Sequence, residues 1–408
     1  MVVPCCPQFL QVLLAGVTTL LSVPQVRLLR QLTVAWLLGC GGKLVRAARL
    51  TKGRHRTSMA RFLTKSSWDA PTLLTNAVLV ILRLFRPLAG EFIYLLLDDT
   101  RIAKRARKMA GVKKIWDHVE QRFVRGHMVV TAAIVFRGVT LPWRFSLWLP
   151  KEYCRKKRRK FVKLTDSAAE MVRSFTPPKG LKVCVLFDAF YLCKTITAAC
   201  EKRGFSWFSV ASRNRLLERD GRQRTIGELG PGLLKHHGQR VRMRRARGWR
   251  WMTIAAVDGR LKKIGAVRVV FSKRPGDPWK KRVAIVTNET KLSARDIVAN
   301  YERRWAIEVL FKELKGTFGL GEYQMQKRQG IERHLHLCGL AHLALTHHSL
   351  QVVGEKAKQA NKDVLLPRFY ERLDAMRREV RVDNIERFVK RIRHEKIRRR
   401  VRKHLLAA

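Results

Sequence analysis

The chain has 408 residues, 46% of them hydrophobic, enough for a substantial core and two or three domains, which excludes a charged disordered tail. Its 85 Lys and Arg against 31 Asp and Glu leave a net charge of +54, and a folded chain so basic repels itself unless a polyanion neutralises it. Nucleic acid suits basic residues spread over the whole length, because each phosphate contact releases counterions; an anionic membrane surface, the competitor, would be met by one lipid-facing helix.

The N-terminal MVVPCCPQFLQVLLAGVTTLLSV has no Lys or Arg before its apolar run. Gln11 breaks that run, and it is too short to span a bilayer, so a buried helix is expected in place of a signal or a membrane segment. Residues 1–88 read as a helical N-terminal region with Leu and Val at three-to-four spacing. Ser66 or Ser67 offers a cap before the run that ends in LVILRL. The basic RAARLTKGRHRTSMARF between suits either a small DNA-binding domain or a packing domain.

From residue 89 the texture changes. FIYLLLDDT is a continuous apolar run ending in acids, as a central buried strand would be. MVVTAAIVF and LPWRFSLWLP follow as two strands around the turn RGVT. LTDSAAEMVRSF is a helix stopping before Pro177, KVCVLFDAFY a second buried strand ending in an acid, TITAACEKRG a helix and WFSVAS a strand. Residues 89–214 thus read as an α/β sheet of mixed direction. Residues 215–290 are a β-rich, basic insertion in which Trp249 and Trp251 alternate along a strand and are expected to pack on the insertion's own core. Residues 291–350 return to helix and carry Glu308, and 351–408 form a basic helical end. HLHLC, residues 334–338, reads as core helix with satisfied histidines in preference to a metal site. None of the eight cysteines forms a C-x-x-C pair, which argues against a zinc ribbon and suits a reducing compartment such as the cytoplasm.

YERRWAIEVLFKELKG, residues 301–316, concentrates the chemistry. Turned as one α-helix, it sets Tyr301, Arg304, Glu308 and Lys315 within an arc of about 60°. Ala306, Ile307, Leu310, Phe311 and Leu314 gather on the other side as a core stripe. A salt-bridged surface helix would show the same pattern. The acids of the two buried strands tip the balance. Asp98 and Asp188 would sit at strand ends, the rim where α/β sheets bind ligands. With Glu308 they would make three carboxylates, which cannot crowd together unpaired. An oxygen-only set selects Mg2+ or Mn2+, and two ions about 4 Å apart would clamp a phosphodiester.

These residues resemble a DDE transposase of prokaryotic insertion sequences, in the branch with a Y-x2-R-x3-E-x6-K motif. Tyr301, Arg304, Glu308 and Lys315 match that spacing, and LLLDDT and LFDAFY resemble the motifs around the family's two aspartates. The resemblance covers roughly residues 90–350. It implies a ribonuclease-H-like mixed sheet with helices on both faces, interrupted by the β-rich insertion. It implies hydrolysis at element ends dependent on two Mg2+ or Mn2+ ions, with Asp98, Asp188 and Glu308 as catalytic metal ligands, and strand transfer by the freed 3′-hydroxyl. Tyr301, Arg304 and Lys315 would contact double-stranded DNA, to which a homodimer would bind. The family pattern D-x-T favours Asp98 over Asp99 as first acid, and strand alternation sets the two on opposite faces. In some relatives a tryptophan from the insertion stacks on a flipped base. Trp279, in RPGDPWKK, is the candidate, though packing is its plainer reading. A metal nuclease without strand transfer and a non-enzymatic DNA binder are the competing functions. Residues 188–308 span far more than the roughly 30 of a βαβ unit, as an insertion requires.

Overall fold

The computed structural model describes residues 6–51, 55–117, 121–245, 248–278, 281–390 and 395–407. The N-terminal region is helical: α1 (Gln8–Ala15), α2 (Val23–Leu37), α3 (Leu44–Thr51), α4 (Arg56–Thr64) and α5 (Ala70–Leu84). Buried Phe9, Leu10, Leu13 and Leu14 lie on one stripe of α1, which makes it a core helix. The cap of α5 is neither Ser66 nor Ser67 but Asp69, whose carboxylate accepts from the N–H of Thr72 at 2.9 Å. A carboxylate there satisfies an orphan donor and complements the helix dipole, and Pro71 fits the first turn.

The central strands are β1 (Phe92–Ala103), β2 (Lys113–Asp117), β3 (Arg122–Phe136) and β4 (Val139–Leu147). After α6 (Lys151–Lys156) and α7 (Leu164–Ser174) come β5 (Lys182–Phe187), α8 (Lys194–Lys202) and β6 (Ser206–Val210). They lie in the order β4-β3-β1-β5-β6, with β3 antiparallel to β1 and β4, and with β5 and β6 parallel to β1. This is the ribonuclease-H-like arrangement. The β3–β4 turn is Arg137-Gly138, with φ of 44° and 77°. Positive φ at both central residues matches the strand twist. The buried guanidinium of Arg137 grips Glu91 through two hydrogen bonds of 2.9 and 2.7 Å and donates to the carbonyls of Phe85 and Ala357.

The stretch expected as an insertion contains β7 (Leu216–Arg219), β8 (Arg222–Thr225), α9 (Ile226–His236), β9 (Gln239–Arg245), β10 (Gly248–Leu261), β11 (Gly265–Lys273) and β12 (Val283–Thr287). It continues the same sheet: β12 pairs with β6, β11 with β12, β10 with β11, and β7 and β9 with β10. Helix α9 was not expected. Its capping box, Thr225 with Glu228, is legible in T-I-G-E, but Gly227, Gly230, Pro231 and Gly232 mask the helical pattern.

The chain ends in α10 (Ala294–Glu302), α11 (Trp305–Gly316), α12 (Arg328–Val353), α13 (Phe369–Val389) and α14 (Glu395–Ala407). Helix α12 is buried almost all round, packing on α1, α2, α4, α5 and β4, so its apolar pattern has no polar face. His334 bonds the carbonyl of Gly319 at 2.9 Å and His336 that of Glu332 at 2.7 Å: HLHLC is core helix. Helices cover both faces of the sheet, α11 and α12 against β1 and β4, α7 and α8 against β3 and β6. Among the described residues no helix is long and apolar enough to cross a membrane, and all seven described cysteines are free.

Candidate active site

β1 and β5 are parallel neighbours with Leu96 beside Leu186. Two residues further along each chain, Asp98 and Asp188 therefore come level at the same rim of the sheet. Asp188 stands just beyond β5 and turns the chain: its Oδ1 accepts from the N–H of Phe190 at 3.0 Å and of Tyr191 at 3.3 Å. That turn leaves the carboxylate beside β1.

Successive side chains of β1 face opposite ways, and each acid of the DD pair has its own partner. Asp98 shares a face with Tyr94, whose hydroxyl donates to Asn300 Oδ1 at 2.7 Å in α10. Its Oδ2 accepts from Arg304 Nη1 at 3.1 Å. Asp99 looks the other way, and its Oδ1 accepts from the buried Tyr191 hydroxyl at 3.1 Å. Tyr191 was missed by sequence reasoning; its signal is an aromatic three residues after the second acid in LFDAFY.

The second nitrogen of Arg304, Nη2, donates to Glu308 Oε1. One guanidinium thus bridges Asp98 and Glu308, with side chains 16% exposed for Arg304 and 17% for Asp98. Tyr301 is half-buried beside it. Burial pushes the Tyr301 phenol up to about 12, against the pull of Arg304. Burial likewise pushes the Asp98 carboxyl up to about 7, opposed by Arg304 and aided by Asp188. Asp99 is raised by burial and then by Asp188, while Tyr191 lowers it. Arg304 is raised by Tyr301, Asp98 and Glu308 together, against burial.

The helix that carries these residues differs from the single straight helix expected. α10 ends at Glu302, and α11 starts at Trp305. The junction is tightened: the N–H groups of Arg304, Ala306 and Ile307 each bond the carbonyl three residues back, at 3.0 to 3.1 Å. No Gly or Pro marks the break, and a uniform 100° rotation cannot register it. The core stripe survives, with Ile307, Leu310 and Leu314 buried. Lys315 lies exposed in the last turn of α11, seven residues beyond Glu308 and so about 10 Å along the axis. Trp279 lies outside the described residues.

Among the described residues no three His, Cys, Asp or Glu side chains stand close enough to hold one metal ion. At this site Arg304 lies between Asp98 and Glu308 and bonds both. The donor set itself is all carboxylate, the kind Mg2+ and Mn2+ take. An aspartate held near 7 beside a second aspartate gains from any cation brought to it. By the chemistry of their side chains these acids fit such ions.

Trp249 and Trp251 do not pack in a core. They are 53% and 51% exposed, with the guanidinium of Arg242 over Trp249 at 5.5 Å and that of Arg240 over Trp251 at 5.6 Å. The opposite face of this ribbon, with Met243 and Met252, is the buried one. Alternation was read correctly and the face wrongly, because both faces carry large apolar side chains.

The family model described as DDE superfamily endonuclease matches residues 25–264, more than half the chain and inclusive of both strand acids. The chain belongs to the DDE superfamily of endonucleases. A second model, "Archaeal putative transposase ISC1217", matches residues 277–352, which hold Tyr301, Arg304, Glu308 and Lys315. A protein of Microchaete diplosiphon described as "Probable transposase for insertion sequence element IS701" is 31% identical over 98 residues, 24% of this chain and 25% of its own. The chain thus spans about a quarter of the length of the curated relative it matches. Together these matches bear out the resemblance to DDE transposases of insertion sequences.

Proposed function

We propose that the chain cuts DNA at the ends of an insertion sequence and joins the freed 3′-hydroxyl to target DNA. One observation carries this reading: Asp98 and Asp188 stand level on adjacent parallel strands, and Arg304 ties Asp98 to Glu308. In this reading Asp98, Asp188 and Glu308 are the catalytic acids and would hold two Mg2+ or Mn2+ ions. Bound there, such ions supply an activated attacking oxygen and neutralise the scissile phosphate.

The chain's own residues position the DNA. A backbone phosphate draws Arg304 off its carboxylates and takes its place in a paired hydrogen bond, which frees Glu308. Tyr301, beside Arg304, orients the same phosphate through its hydroxyl. Lys315, farther along α11, holds the next stretch of backbone. Trp279 would stack on a flipped base, the alternative being packing within the inserted part. Asp99 orients Tyr191 on the far face of β1 and takes no ion.

Residues 89–214 and 291–350 form the catalytic core and 215–290 the inserted part; 1–88 is a helical region that could also meet DNA, and 351–408 a basic helical end. The partner is double-stranded DNA bound by a homodimer, in the cytoplasm on the nucleoid.

The test is single-turnover cleavage of a duplex bearing the ends of the encoding element, with Mg2+, followed by capture of a plasmid target. The parent should cut and join, and Asp188→Asn should bind without cutting. Parental cleavage by Asp188→Asn overturns the reading; cutting without joining leaves a nuclease.

A further inference from the structure

The acid site makes no use of the β2–β3 ribbon. β3 runs on past the end of β1: Ala103 pairs with Gly126, and from there to Arg122 the partner is β2 alone. β2 is an edge of the sheet. Asp98 lies opposite Thr131, so Phe123 stands eight residues beyond the acid, about 26 Å at 3.3 Å per residue.

Lys114 pairs with Arg125 and Trp116 with Phe123, so these four share one face. Trp116 is 37% and Phe123 67% exposed, their rings edge to face with centroids 5.1 Å apart. From Arg101 through Trp116 the chain holds seven Lys and Arg and no acid. An aromatic pair this exposed on a basic ribbon suits a surface that a partner covers. For this basic face a second copy, itself carrying +54, offers less charge complementarity than DNA does. Duplex DNA meets both features. A two-stranded ribbon fits a DNA groove, Lys and Arg take the phosphates, and an apolar wedge opens a base step.

We propose that the β2–β3 ribbon is an arm that grips duplex DNA running away from the acids, with Lys114 and Arg125 on phosphates and Trp116 and Phe123 wedged at a base step. This deepens the transposase reading and rests on it only for the presence of DNA. The experiment measures binding of the full chain, without divalent metal, to a 5′-labelled random-sequence duplex of about two turns on either side of its centre, matched or with one central T·T mismatch.

The parent should prefer the mismatched duplex by about tenfold, because its step is already unstacked. Trp116→Ala/Phe123→Ala should lose that preference and keep the parental salt slope. Lys114→Gln/Arg125→Gln should keep the preference and lower the slope by about 1.8, the value for two phosphates. Equal binding of the two duplexes by the parent, or an unchanged slope in the charge variant, overturns the proposal. So does a fall in oligomer mass in either variant, which would reassign the ribbon to a contact between copies. If the aromatic variant misfolds, the charge variant still reads the arm, since it removes no buried side chain. Because cleavage is not scored, an inactive acid site leaves this test intact.

Discussion

Asp98 and Asp99 are adjacent in sequence yet meet different partners, because a strand turns alternate side chains to opposite faces. Asp98 meets Arg304 and Asp99 meets Tyr191. If Asp98 is the acid that acts, Asp98→Asn should lose cleavage while Asp99→Asn keeps most of it. The reverse result would move the site by one residue. Arg304→Ala leaves Asp98 and Glu308 without their shared cation. The pair then repels, and DNA end binding should weaken, with its salt slope falling by about one charge.

Among elements, two junctions carry tests. The first is the β3–β4 turn. Burial alone would raise the Glu91 carboxyl, but two hydrogen bonds from Arg137 and the N–H groups of Leu88 and Asn361 hold it down at about 2. A depressed carboxyl adds stability above its unfolded value and loses it as pH falls. The contribution should therefore be complete above about pH 5 and drain away towards pH 2, about 3 kcal/mol in all. Glu91→Gln should cost about 3–5 kcal/mol at pH 7, since it leaves Arg137 buried and uncompensated. Chemical denaturation across pH 3 to 7 checks both statements, and a flat parental profile would reject the first.

The second junction is the crossing of α12 on β4. Gly339 there has no room for a methyl: a Cβ would stand 2.9 Å from the ring of Phe145 and 3.1 Å from Leu74. In an open helix Gly→Ala stabilises by about 1 kcal/mol. Here overpacking opposes it at about 1–3 kcal/mol, and the rigid ring makes the clash win. Gly339→Ala should lower the melting temperature, and a rise would show that Phe145 moves aside freely.

For the whole molecule, charge decides. With +54 on the chain, binding to any duplex should be steeply salt-dependent, falling about 10³- to 10⁵-fold between 50 and 200 mM salt if six to ten phosphates are met. The same DNA should raise the melting temperature, because it binds the folded chain and neutralises its self-repulsion. An affinity indifferent to salt would mean that the basic residues face something other than phosphate.

The sequence by itself determined the strong net positive charge, the α/β core and the two acid-tipped strands, since net charge and unbroken apolar runs are local properties. The spacing of Tyr301, Arg304, Glu308 and Lys315 was equally legible. Tertiary structure decided the rest. It joined the expected insertion edge to edge with the core, because strand pairing links residues distant along the chain, as Ile285 meets Val210. It turned Trp249 and Trp251 outward, because which face of a ribbon is buried depends on what packs against the other. It also placed Arg304 between Asp98 and Glu308, a bridge that exists only because β1 and α11 meet across more than two hundred residues of chain.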